Sequence, residues 1–122
     1  MLINKKLLSL FLKHMDSEEL VVMEEACWVI SNILTGLSYD KIPTIIHFDQ
    51  CIECCCNALR KINNKYLAEN ILSALVICID VDSEIKSKCI GNQLIEILDT
   101  NKIINKESDK YQILYNTLKT EN

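Results

Sequence analysis

Proline and glycine are nearly missing from this chain of 122 residues: Pro43 is the one proline, and Gly36 and Gly91 are the only glycines. Folds made of many short strands need such residues at each tight turn, so a β-sandwich or barrel is a poor fit. No glycine-rich loop can cradle a phosphate, and no dinucleotide fingerprint exists. Histidine is scarce too, with His14 and His47 alone. Nothing sets either beside a cysteine in an activating arrangement, and no glycine-rich turn supplies an oxyanion hole. The expectation is a protein that is not an enzyme and carries no cofactor.

Long apolar runs are also lacking. The longest, Ile71 to Ile79, falls well short of the ~20 residues that cross a bilayer. Met1 to Lys6 lacks the basic start and clean apolar run of a secretory signal. The seven cysteines are odd in number, which argues against a disulfide framework. A reducing compartment, cytoplasm or nucleus, is the expected setting. The net charge of −4 repels phosphate backbones, so nucleic acid is not an expected partner. Mild acidity suits a basic peptide, or simply keeps the protein in solution.

What is present is helical. Leu, Ile, Lys, Glu and Ala dominate the long segments. Helices are expected over Leu2 to His14, Glu18 to Thr35, Ser38 to His47, Asp49 to Lys61, Asn64 to Ile79, Ser83 to Ile90, Asn92 to Asp99 and Lys106 to Lys119. Asp16-Ser17 and Asn63 are the expected caps, and Gly36 the expected stop. The buried stripe of the second helix is read as Val21, Val22, Ala26, Val29, Ile30, Ile33 and Leu34.

Medium, long and short helices recur in order. Laying Trp28 on Ile71 and then on Leu114 gives a spacing of about 43 residues, within the range of armadillo and HEAT repeats. A unit of this size cannot bury its own apolar faces, and stacking neighbours buries them. The fold class expected is an all-α, armadillo-like right-handed solenoid of two to three repeats. It forms a single domain over 1–122, with approximate repeats 1–36, 37–80 and 81–120.

The segment Glu24-Glu25-Ala26-Cys27-Trp28-Val29-Ile30-Ser31-Asn32-Ile33-Leu34-Thr35-Gly36 resembles the third helix of an armadillo repeat in the importin-α family of nuclear import adaptors. Cys89 to Leu98 resembles the opening of that family's last repeat, and Tyr111 to Leu118 its final helix. The resemblance implies recognition of a nuclear localisation signal in the cytoplasm and nucleus. It also allows a nuclear transport receptor as partner at residues 89–118.

The chemistry of the segment can be stated from its residues. Trp28 and Asn32 are one helical turn apart and share a face. An indole wall accepts the stem and cation of Lys or Arg. A carboxamide can pair with the N–H and C=O of an extended peptide whatever its side chains. Glu24, one turn earlier, can receive the cationic end. The expected peptide contacts are Trp28, Asn32 and Glu24. On the overlay above, the pair becomes Ile71 and Leu75 in the next long helix, and Leu114 and Leu118 in the last. One pair alone predicts weak binding. The plainer reading is that Trp28 is core.

Cys51, Cys54, Cys55 and Cys56 have the look of a metal cluster. Consecutive helical residues diverge, however, so three of them cannot share one ion. Core packing is the reading preferred, with no metal. Alternatives to peptide recognition are a general armadillo scaffold for another protein, or self-association through exposed repeat ends to give a homo-oligomer.

Overall fold

Apolar residues at helical spacing, broken into segments by short polar stretches, set where the helices lie. In the computed structural model, which describes residues 5–37 and 48–120, these segments form seven helices and no strand among the described residues. They are α1 Lys5–His14, α2 Leu20–Gly36, α3 Phe48–Ala58, α4 Lys65–Val81, α5 Glu84–Gly91, α6 Leu94–Thr100 and α7 Asp109–Lys119. The chain is all-α. The expected helix over Ser38 to His47 and the first residues of the one over Leu2 to His14 lie outside the described residues.

The caps differ in detail from expectation. Asn64, not Asn63, caps α4: its Oδ1 accepts from the N–H groups of Tyr66 at 3.0 Å and Leu67 at 3.1 Å. Ser108 caps α7 by accepting from the Tyr111 N–H at 3.2 Å. Ser17 holds the Glu19 N–H at 3.1 Å, one residue before α2 opens. Gly36 is the last helical residue, but the chain leaves through Leu37 in an extended conformation, so no left-handed glycine is needed there. The left-handed residue is instead Gln93, with φ 63°, which turns the chain between α5 and α6.

The helices pack in two rows. In one, α2 lies against α4 and α4 against α7; in the other, α1 meets α3, α3 meets α5 and α5 meets α6. Contacts of α1 with α2, α2 with α3, α4 with α5 and α6 with α7 join the rows. The core is one cluster running through both. Its sequence basis is clearest in α4, where Leu67, Ala68, Ile71, Leu72, Ala74, Leu75 and Cys78 are buried. A helix apolar over so much of its circumference has to be covered on more than one side.

Two sequence expectations need correction. The buried stripe of α2 is Met23, Ala26, Cys27, Ile30, Ser31 and Leu34, while Val21 is 72% exposed. The overlay of Trp28 on Ile71 is also out of phase. The shift that carries Leu20 onto Lys65, the first residues of α2 and α4, lays buried Met23, Ala26, Cys27 and Ile30 on buried Ala68, Ile71, Leu72 and Leu75. On that register Trp28 falls on Ser73 and Asn32 on Ile77. Matching aromatic to aliphatic letters misled the overlay, because Trp28 belongs to the partly open side of its helix and Ile71 to the closed side.

Candidate functional site

Helical spacing puts Trp28 and Asn32 on adjacent turns of α2, and the packing of α4 decides what they meet. Trp28 is half-buried, with part of its ring against the core cluster, and Asn32 is exposed. Asn70 of α4 reaches across: its Nδ2 donates to Asn32 Oδ1 at 2.8 Å and to Ser31 Oγ at 2.7 Å. The Ser31 hydroxyl in turn donates to the Cys27 carbonyl at 2.7 Å. Ser31 is fully buried, so this hydroxyl needs the partners it has.

Asn32 therefore arrives with its carbonyl oriented by α4. Its own amide N–H groups have no partner among the described residues. Trp28 presents the open part of its ring one turn away. Asn70 and Ser31 were not foreseen as members of this group. A signal was present: Glu69 and Asn70 are adjacent polar residues in the stretch from Leu67 to Ile79, whose one other polar residue is Ser73.

Glu24 is placed differently from its expected role. It is half-buried, and its Oε2 accepts from the backbone N–H of Asn63 at 3.0 Å, just before α4. It ties α2 to the start of the next long helix instead of standing free beside the indole. The same device recurs one helix on. Glu69 Oε2 accepts from the Ser108 hydroxyl at 2.9 Å, just before α7. Its other oxygen, Oε1, is buried and without a partner among the described residues.

All seven cysteines are free and buried. Burial pushes the thiols of Cys27, Cys51 and Cys78 up to about 12 and that of Cys54 to about 11. Burial also raises Cys55 well above its ordinary value. For Cys56 a hydrogen bond with Cys89 is the largest cause of a rise, with burial next. Thiols held neutral in this way are weak nucleophiles and weak metal ligands. No group of three metal-ligating side chains converges among the described residues. The cysteines act here as small hydrophobes at the contacts of α3 with its neighbours.

Open clefts flank the rows among the described residues, and two of them bear on the site. One, of about 440 Å³, lies between the end of α3 and α6, beside Arg60, Glu96 and Lys102. Arg60 is engaged there with the carbonyl of Asn92 and the side chain of Gln93. The other, of about 400 Å³, lies between the ends of α4 and α7 and is lined by Val76, Ile79 and Ile113. Among the described residues no helix is long and apolar enough to cross a membrane. Comparisons of this chain with protein-family models, with curated proteins and with solved structures found no match.

Proposed function

We propose that this chain is a short armadillo-like repeat stack that binds an extended basic peptide along the row formed by α2, α4 and α7. The observation that carries the reading is the half-open Trp28 ring beside the Asn32 carboxamide, which Asn70 holds in one orientation. Preorganised polar groups lose less freedom on binding. The repeated Glu24 and Glu69 contacts to the start of the following helix support a repeat architecture. The resemblance of residues 24–36 to importin-α makes a peptide of the nuclear localisation type the first candidate, with the cytoplasm and nucleus as its setting. A transport receptor at residues 89–118 belongs to the same proposal.

Trp28 is the one tryptophan, so its fluorescence reports directly on the site. Titration with a Lys/Arg-rich extended peptide should change that emission with a dissociation constant on the order of 0.1 mM, as suits a single Trp/Asn pair. Anisotropy of a labelled peptide gives the comparison with Trp28→Ala, which should weaken binding about tenfold. Equal affinity for both proteins ends this reading.

A second reading, self-association, is favoured by the exposed apolar side chains Leu10, Leu20 and Val21 on α1 and the first turn of α2. Light scattering over a concentration series tests it, and a constant monomer mass rejects it.

A further inference from the structure

In the row of long helices, the contact between α2 and α4 is closed by Ser31, Asn32 and Asn70, which bond to one another. Where α4 meets α7, the cleft is lined by Val76 and Ile113, whose side chains cannot hydrogen-bond. Ile113 stays 49% exposed, and the cleft opens beside it.

The polar residues that line this cleft are Asp80, Ser83, Lys86, Thr117 and Thr120. The Asp80 carboxylate is exposed on its wall, and no described residue bonds to it. The Thr117 and Thr120 hydroxyls each donate into their own helix, at 2.7 Å to the carbonyls of Ile113 and Asn116, and so offer only lone pairs outward. Of the two nearby cations, Lys86 spends one N–H on the Thr120 carbonyl, and Lys119 Nζ sits 4.9 Å from the centre of the Tyr115 ring. Asp82 and Glu84 add two carboxylates on the adjoining turn. An apolar floor beside an exposed carboxylate that no described residue bonds suits an occupant that brings both an apolar side chain and a cation.

We propose that this cleft is a second recognition site, separate from Trp28, which takes a large aliphatic side chain adjacent to a lysine or arginine from an extended segment of a partner protein. The aliphatic chain lies on Val76, Ile79 and Ile113. The cation reaches Asp80. The site does not depend on the peptide reading above, because Trp28 and Asn32 take no part in it.

The test is a methyl-resolved NMR titration of the full chain with acetylated, amidated Gly-Ser-Leu-Lys-Ser-Gly. Saturable shifts are expected at the methyls of Val76, Ile79 and Ile113. The Leu-to-Ala peptide should bind about tenfold more weakly, and the Lys-to-Ser peptide about threefold more weakly. Asp80→Asn should abolish the preference for lysine, and Ile113→Ser the preference for leucine. Both side chains are substantially exposed, so neither change threatens the fold. Trp28→Ala should leave every shift in place. Absent or non-saturating shifts overturn the proposal, as does a lysine preference that survives Asp80→Asn. Loss of the shifts in Trp28→Ala would overturn its independence from the first site.

Discussion

The two contacts along the row of long helices solve one packing problem in opposite ways. Between α2 and α4 the apolar contact carries a polar cluster: Asn70 bonds to Ser31 and Asn32, and Glu24 holds the Asn63 N–H just before α4. Between α4 and α7 it is apolar and gaping: Val76, Ile79 and Ile113 line a cleft, and Glu69 keeps one buried oxygen unpaired. A hydrogen-bonded network orients its members, whereas an open apolar seam leaves area for something else to cover. The first contact fixes its side chains in place, and the second leaves apolar side chains uncovered.

Sulfur sharpens the contrast, and its titration should have the largest effect. Cys27 lies in α2, Cys78 in α4 and Cys51 in α3, while α7 contains no cysteine. These three thiols ionise near 9 when unfolded and at about 12 when folded. Between those values the unfolded chain has lost protons that the folded chain keeps. Stability is therefore fully present below about pH 9 and falls as the pH rises towards about 12. Urea midpoints should be level to pH 9 and then drop steeply. The double variant Cys27→Ala, Cys78→Ala should begin less stable but show a shallower fall. A wild-type midpoint that stays level to pH 11 would mean these thiols are open to water.

Next in size is the helix both contacts share. Leu75 of α4 is fully buried, so Leu75→Ala should cost about 3 kcal/mol. Trp28 emission and hydrogen exchange in α7 should report one common transition. Separate transitions would show that the two contacts unfold independently.

The comparison can also be broken by exchange. Ser31→Val alone should cost about 1.5 kcal/mol, because Asn70 loses a partner. Asn70→Ile alone should cost about as much. Both changes together make the first contact apolar at these two positions and should cost well under the sum of the two, since a matched apolar pair leaves no polar group stranded. Urea denaturation of the four proteins gives the coupling. Simple additivity would show that the Ser31–Asn70 bond contributes nothing of its own.

How much of this was legible beforehand differs between the two contacts. The helices could be read because apolar residues recur at helical spacing and because Asn and Ser stand before them. Their existence followed from composition; their ends moved by one to three residues where the choice lay between adjacent caps, as with Asn63 and Asn64. The phase of the rows was not legible. It depends on which face of α2 is closed, and a buried Ser31 beside an open Trp28 reverses what hydropathy alone suggests. Trp28 and Asn32 could be picked out as a pair one turn apart. Asn70 lies 38 residues from Asn32 and could only be joined to it by folding. The bond of Glu24 to the backbone N–H of Asn63 was hidden for the same reason, since that partner lies 39 residues away.

The smallest expected effect on stability is also the most discriminating. Asn32→Ala removes one bond of 2.8 Å at an exposed position, and water can take the place of the lost acceptor. Asn70 keeps its second N–H on Ser31, so no buried group is left unpaired. The cost should be about 0.3 kcal/mol, near the resolution of a denaturation curve. Binding of the basic peptide should respond differently. If Asn70 orients the Asn32 carboxamide for a peptide backbone, its removal deletes a ligand contact and weakens the complex about fivefold. Asn70→Ala should weaken it less, because Asn32 remains but turns freely. That ordering separates a carboxamide held in place for a guest from one that merely joins two helices, since a purely structural bond would leave peptide affinity equal in all three proteins.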